Sequence, residues 1–164
     1  MTERADDASS NVRATSYIIV EGKILCGQCD VVTAVFAFAL PAGYESLYVD
    51  EDTPDEEGGA WEALGMAVVL SYVEYLPDAV ANRIRAKTSH YRLDLDRESG
   101  QSFWMNHCEH CGAQMEEEEL HGDLDGPFGP IPDEGLEAIQ LHHVREAFEA
   151  WAGGESYDVK PLDS

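Results

Sequence analysis

Positive charge is scarce in this chain. Ten lysines and arginines stand against 33 aspartates and glutamates, a formal net charge of −23 at pH 7. A surface of that sign repels a phosphate backbone, so direct nucleic-acid binding is not expected. Long apolar runs are missing as well. None reaches the roughly 20 residues that a membrane-spanning helix needs. The first residues, Met1 to Asp7, lack a basic-then-apolar pattern, so the expected compartment is the reducing cytoplasm. There is no internal repeat, phosphate-binding glycine loop, dinucleotide glycine pattern or serine-nucleophile turn. Serine, histidine and acidic residues are plentiful, but nothing in the sequence gathers them into a catalytic set.

Cysteine is also rare, yet its placement is informative. The only four form two Cys-x-x-Cys pairs, Cys26-Gly27-Gln28-Cys29 and Cys108-Glu109-His110-Cys111. Two intervening residues let both sulfurs of a pair face one ion. Two such turns make a closed tetrahedral shell, the arrangement of structural zinc sites. The expected cofactor is therefore one structural Zn²⁺ held by Cys26, Cys29, Cys108 and Cys111. Gly112 after the second pair eases a positive φ in its turn, whereas Asp30 follows the first. The pairs lie 78 residues apart, against about 15–20 in ordinary ribbons, so the intervening segment must fold and return.

Other chemistries compete for the same residues. A thioredoxin-type exchange at Cys26 and Cys29 wants a helix N-terminus to depress the first thiol, but residues 31–38 read as strand. Two disulfides need an oxidising compartment. Four thiolates also suit iron. His107 and His110 can replace a thiolate, flank the site as exposed residues, or donate to a sulfur.

Hydrophobic patterning outlines the rest. Residues 1–14 read as a disordered tail and 155–164 as a second tail, around a single domain over 15–154. Strands are expected at 16–20 and 23–25 about a Glu21-Gly22 turn, at 31–40 buried on both faces, at 44–49 and at 67–75. A helix starts at Pro77 with Val80, Ala81 and Ile84 as its buried stripe and Arg83, Arg85 and Lys87 at its C-terminal end. Residues 91–96 and 102–106 form a hairpin that delivers Cys108 to the metal. An edge strand follows over 113–121, with Glu116–Glu119 as its charge guard. A terminal helix runs from Pro132 over Leu136, Ile139, Val144, Ala147, Phe148 and Trp151, stopped by Gly153-Gly154, with His142-His143 on it. The predicted fold class is thus α+β: an antiparallel sheet, two flanking helices and a four-cysteine zinc ribbon joining distant parts of the chain.

The segment 103–114, Phe-Trp-Met-Asn-His-Cys-Glu-His-Cys-Gly-Ala-Gln, with Leu120-His121 and Gly126-Pro127-Phe128, resembles a loosely defined group of bacterial zinc-ribbon-like proteins. These pair an early Cys-x-x-Cys with a late Asn-His-Cys-x-x-Cys-Gly knuckle. The resemblance implies zinc binding and a bacterial or phage source, and no activity. Small size, a metal-tied sheet, high negative charge and the absence of a catalytic set lead to the expectation of a non-catalytic binding protein for a basic partner protein, most concretely an immunity-type or inhibitor protein. A nucleic-acid mimic that blocks a DNA- or RNA-binding protein is one alternative. A metal-dependent hydrolase using the histidines and carboxylates around 107–125 is the other. The acidic loop 50–57 and Glu116–Glu119 are the candidate contacts for a basic partner.

Overall fold

A computed structural model describes residues 10–48, 60–96, 99–115 and 140–156. The architecture is almost wholly antiparallel β, which overturns the α+β expectation. Ten strands form one sheet system, and the described residues contain a single helix. In chain order they are β1 (Val12–Ala14), β2 (Tyr17–Leu25), β3 (Val32–Leu40), β4 (Glu45–Tyr48), β5 (Ala60–Ala63) and β6 (Val68–Tyr75). Helix α1 (Asp78–Lys87) comes next, then β7 (Tyr91–Leu95), β8 (Ser102–Asn106), β9 (Gln140–Val144) and β10 (Phe148–Ser156). The strands lie side by side as β5-β4-β1-β10-β6-β3-β2-β9. β8 joins β6 at Val73↔Trp104, beyond the stretch where β6 pairs with β3, and carries β7 on its far edge.

The expected terminal helix is replaced, over its described part, by β9 and β10. Burial decides between the two patterns. Phe148, Ala150 and Ala152 are buried, while Glu149 and Gly153 between and after them are exposed. That is period two, and it packs β10 between β1 and β6. Two of the three buried residues are alanines, a weak hydrophobic signal beside Val144, Phe148 and Trp151 at helical spacing. Gly153 and Gly154 do not stop a helix; they sit inside β10. A Cβ on Gly154 would lie 2.4 Å from Ser71 Oγ, so β6 approaches closely there and a side chain would force the Ser71 hydroxyl to turn away. β6 bulges at this point: the register with β10 shifts between Trp151 and Ala152, and Tyr72 takes φ 54°.

Two further corrections concern boundaries. Glu21-Gly22 is not a turn. β2 runs straight through it because Glu21 pairs with both Phe36 and Gln140, and Gly22 pairs with Val35. Val12–Ala14, expected in the N-terminal tail, form β1 between β10 and β4. At the other end, Glu155 and Ser156 belong to β10 and pair with Leu70 and Val69. The acidic loop 50–57, the run Glu116–Glu119, the Gly126-Pro127-Phe128 loop and the start of the expected terminal helix lie outside the described residues.

β5 is not among the expected strands; it pairs with β4. Helix α1 and the hairpin β7–β8 match expectation. α1 carries Val80, Ala81 and Ile84 as its buried residues, Asp78 in its first turn and Arg85 and Lys87 in its last. Pro77 sits one position before the helix, as its N-cap. The hairpin β7–β8 forms, with Tyr91 opposite Asn106.

Alternation along β2 and β3 splits the apolar residues between two faces. One face takes Tyr17, Ile19, Phe36, Phe38 and Leu40, which pack with Phe148, Trp104 and the helix residues Val80 and Ile84. Phe38 is its hub, with ring centroids 5.5 Å from Phe148, 5.9 Å from Tyr17 and 5.9 Å from Tyr91. The other face takes Ile18, Val20, Val35, Ala37 and Ala39, which pack with Val69, Met115 and two of the cysteines, Cys26 and Cys108. The candidate ligands Cys26 and Cys108 are therefore part of the second core rather than an appendage.

β7 tests this division. Its alternation suggests that Tyr91, Leu93 and Leu95 are all buried, but Leu93 and Leu95 are 52% and 51% exposed. Phe38→Ala should cost about 3–5 kcal/mol in urea denaturation, the usual range for emptying an aromatic core site. Leu93→Ala should change stability by no more than about 0.5 kcal/mol.

Candidate metal centre

Each Cys-x-x-Cys pair folds as the same turn. In the first, Cys26 N–H donates to Val31 O at 3.0 Å and Asp30 N–H donates to Cys26 O at 2.9 Å. In the second, Cys108 N–H donates to Ala113 O at 2.9 Å and Gly112 N–H donates to Cys108 O at 2.9 Å. The residue after each second cysteine is left-handed: Asp30 at φ 60° and Gly112 at φ 79°. Aspartate tolerates this region better than most residues, so the first turn forms without the glycine that the second one has.

The two turns meet. All four Sγ atoms lie within 4.8 Å of one another, and two pairs across the turns are in contact: Cys26–Cys111 at 3.7 Å and Cys29–Cys108 at 3.6 Å. A disulfide needs about 2.05 Å, and all four cysteines are free. The spacing suits a tetrahedral ion instead. A metal–sulfur bond of about 2.3 Å gives a sulfur–sulfur edge of about 3.8 Å. The four cysteines can therefore hold a metal ion, as their spacing in the sequence predicted.

Backbone amides are aimed at the sulfurs. Gln28 N–H reaches Cys26 Sγ and His110 N–H reaches Cys108 Sγ, both at 3.3 Å. Val31 and Ala113 supply amides to Cys29 and Cys111. These donors offset part of the negative charge that four thiolates bring to one point. Without a metal, the thiols divide unequally. Burial raises the Cys108 thiol, but the Cys111 and His110 amides outweigh it and hold the thiol at about 6. Burial, reinforced by the neighbouring sulfurs, pushes Cys29 up to about 12. At Cys111 the Ala113 amide lowers the thiol, and desolvation together with the Cys26 and Cys108 sulfurs raises it further.

Three side chains hold the second turn against β3. β6 pairs only with Phe38–Leu40 of that strand. Asn106 extends the edge below: its Oδ1 accepts Phe36 N–H at 2.7 Å and its Nδ2 donates to Phe36 O at 2.9 Å. The side-chain amide thus stands in for a paired peptide. Next along the edge, Glu109 Oε2 accepts Ala34 N–H at 2.8 Å, and Glu109 N–H donates to Thr33 Oγ1 at 3.0 Å. His110 Nε2 lies 3.3 Å from Val32 O. The strand that leaves the first turn is thereby stitched to the residues of the second.

His107 is neither exposed nor near enough to serve as a ligand. It is 1% exposed, with Nε2 2.8 Å from Asp94 Oδ2 and Nδ1 3.1 Å from His90 O. The ring is thus held between a carboxylate and a backbone carbonyl. The His107 hydrogen bond, with those from Gln114 and the Leu95 amide, holds the Asp94 carboxyl down at about 2. His110 caps the β3 edge. His142 and His143 stand on β9, not a helix, and His142 Nε2 is 2.9 Å from Glu21 Oε1. The cysteine tetrad is the one cluster of three or more potential metal ligands among the described residues. The sequence showed the four cysteines and raised His107 as their neighbour, but not the roles of Thr33, Asp94, Asn106 and Glu109. These polar residues act on partners distant in sequence, which leaves no local signal.

No family model, curated protein or solved structure matches the chain. What the site does has to be argued from its residues.

Metal binding must expel the protons that Cys29 and Cys111 carry in the metal-free state. Affinity should therefore rise with pH and fall on acidification, with proton release on binding at neutral pH. A competitive chelator titration across pH checks the sign. Cys108→Ser should abolish binding. It should also lower the melting temperature by about 10 °C, which is about 3–5 kcal/mol at about 2–4 °C per kcal/mol for a chain of this size.

Proposed function

We propose that the protein is a non-catalytic binding protein whose scaffold is closed by one structural zinc ion and whose target is a basic protein surface. The observation that carries the structural role is the closed shell. Four sulfurs at tetrahedral spacing leave no position for a substrate or an activated water, which a catalytic zinc requires. Zinc suits the donor set because it takes four thiolates without preference for another geometry and without redox change. A reducing cytoplasm suits thiolates that are kept for a metal.

The target is read from charge. At −23 the chain attracts cations at long range, and the thiolate site adds about −2 more once zinc is bound. Such a field speeds the encounter with a cationic protein and suppresses binding to nucleic acid. An immunity-type or inhibitor protein is the most concrete form of this reading, since it needs fast capture on a rigid surface and no chemistry. No described helix is long and apolar enough to cross a membrane.

The test is the salt dependence of association with a partner captured from the native host and then purified. The association rate constant should fall by about tenfold or more between 50 and 500 mM salt, with a much smaller change in dissociation. Replacing Asp50, Glu51, Asp52, Asp55, Glu56 and Glu57 with neutral polar residues should slow association and flatten that dependence, leaving the melting temperature unchanged. Association that ignores both salt and these substitutions would contradict the reading.

A further inference from the structure

The four sulfurs are not equivalent toward solvent. Cys26 and Cys108 are buried, Cys29 is half-buried, and Cys111 is exposed. A solution oxidant therefore meets Cys111 first. Cys26, on the other turn, has its sulfur 3.7 Å from that of Cys111. The remaining two sulfurs, Cys29 and Cys108, are likewise a cross-turn pair, 3.6 Å apart.

We propose that Cys111 is a site of oxidation by hydroperoxides and that Cys26 resolves it, so that a disulfide between the two turns replaces the metal as the closure of the fold. This rests on the structural-metal reading, because the ion keeps all four sulfurs together as thiolates.

The steps balance with the hydroperoxide as the only oxidant. The Cys111 thiolate attacks one peroxide oxygen. An S–O bond forms, the O–O bond breaks, and the departing oxygen takes a proton and leaves as water or alcohol. Cys111 is then a sulfenic acid, oxidised by two electrons. The Cys26 thiolate attacks that sulfur, an S–S bond forms, the S–O bond breaks, and hydroxide leaves as water after taking a second proton. The site has now lost two of its four ligands and releases its ion. A second equivalent of peroxide oxidises Cys29 and Cys108 in the same way.

The pairing matters for the fold. Bonds within each turn would leave the turns free to part once the ion has gone. Bonds across the turns tie position 26 to position 111 and position 29 to position 108, the same closure that the ion provides. Oxidation then exchanges one link for another instead of opening the structure. The amides that Asn106 and Glu109 hold on β3 keep the second turn in place while the exchange occurs.

The experiment uses the full chain as purified. Its metal content is measured first, which tests the metal reading on its own. One and then two equivalents of hydrogen peroxide are added with a chromogenic chelator present, and the disulfides are mapped by non-reducing digestion and mass spectrometry. The expected result is a Cys26–Cys111 bond from the first equivalent, with metal release in step, and a Cys29–Cys108 bond from the second. The oxidised, metal-free chain should melt within a few degrees of the metal-loaded one, and the reduced metal-free chain well below both. Bonds Cys26–Cys29 or Cys108–Cys111, bonds between chains, or a stable over-oxidised Cys111 without a bond would overturn the proposal. Cys111→Ser should slow peroxide consumption at least tenfold; if that variant does not fold, the map of the unaltered chain decides. If the first measurement finds no metal, the metal reading fails, and the map of the reduced chain still decides the pairing.

Discussion

Bringing sulfurs from positions 26, 29, 108 and 111 to within 4.8 Å of one another requires both ends of a long segment to return to one point. Everything between Cys29 and Cys108 has to fold in a way that permits this. β3 leaves the first turn, β6 runs beside the far half of β3, and β8 takes over the edge of β6 where β3 diverges. β8 then ends at Asn106, against Phe36. The second turn thus arrives at the place where β3 has an unpaired edge, and the side chains around it supply the partners that the edge lacks. Convergence of the four sulfurs and strand-edge satisfaction are two parts of one constraint.

That constraint also places the site electrostatically. The chain is strongly acidic, and four thiolates are a dense addition to it. Backbone amides at all four sulfurs and the burial of Cys26 and Cys108 in the second core keep this charge local and fixed. The neighbouring Asp94 carboxylate is held by hydrogen bonds to His107, Gln114 and the Leu95 amide.

The ligands were legible because cysteine is rare here and its spacing has a chemical meaning. The strands at 32–40, 68–75 and 102–106 were legible because β-branched and aromatic residues mark them densely. The C-terminal strands were not. Alanines at 150 and 152 face the core with little hydrophobic signal, and Val144, Phe148 and Trp151 satisfy a helical period by coincidence. Gly153 and Gly154 looked like a helix stop, because their true reason lies 80 residues away, in the close approach of β6 at Ser71 and Tyr72. Long-range contacts of this kind leave no trace in local pattern. The same holds for Asn106, whose amide pairs with Phe36 across 70 residues.

The proposed shell of four sulfurs around one zinc ion, joining the two turns, is open to direct measurement. X-ray absorption at the zinc edge of the purified protein examines that shell directly. The account predicts four sulfur scatterers at about 2.3 Å and no nitrogen or oxygen in the shell. A shell containing a histidine nitrogen or a water oxygen, or the absence of bound metal in a fully folded chain, would contradict it.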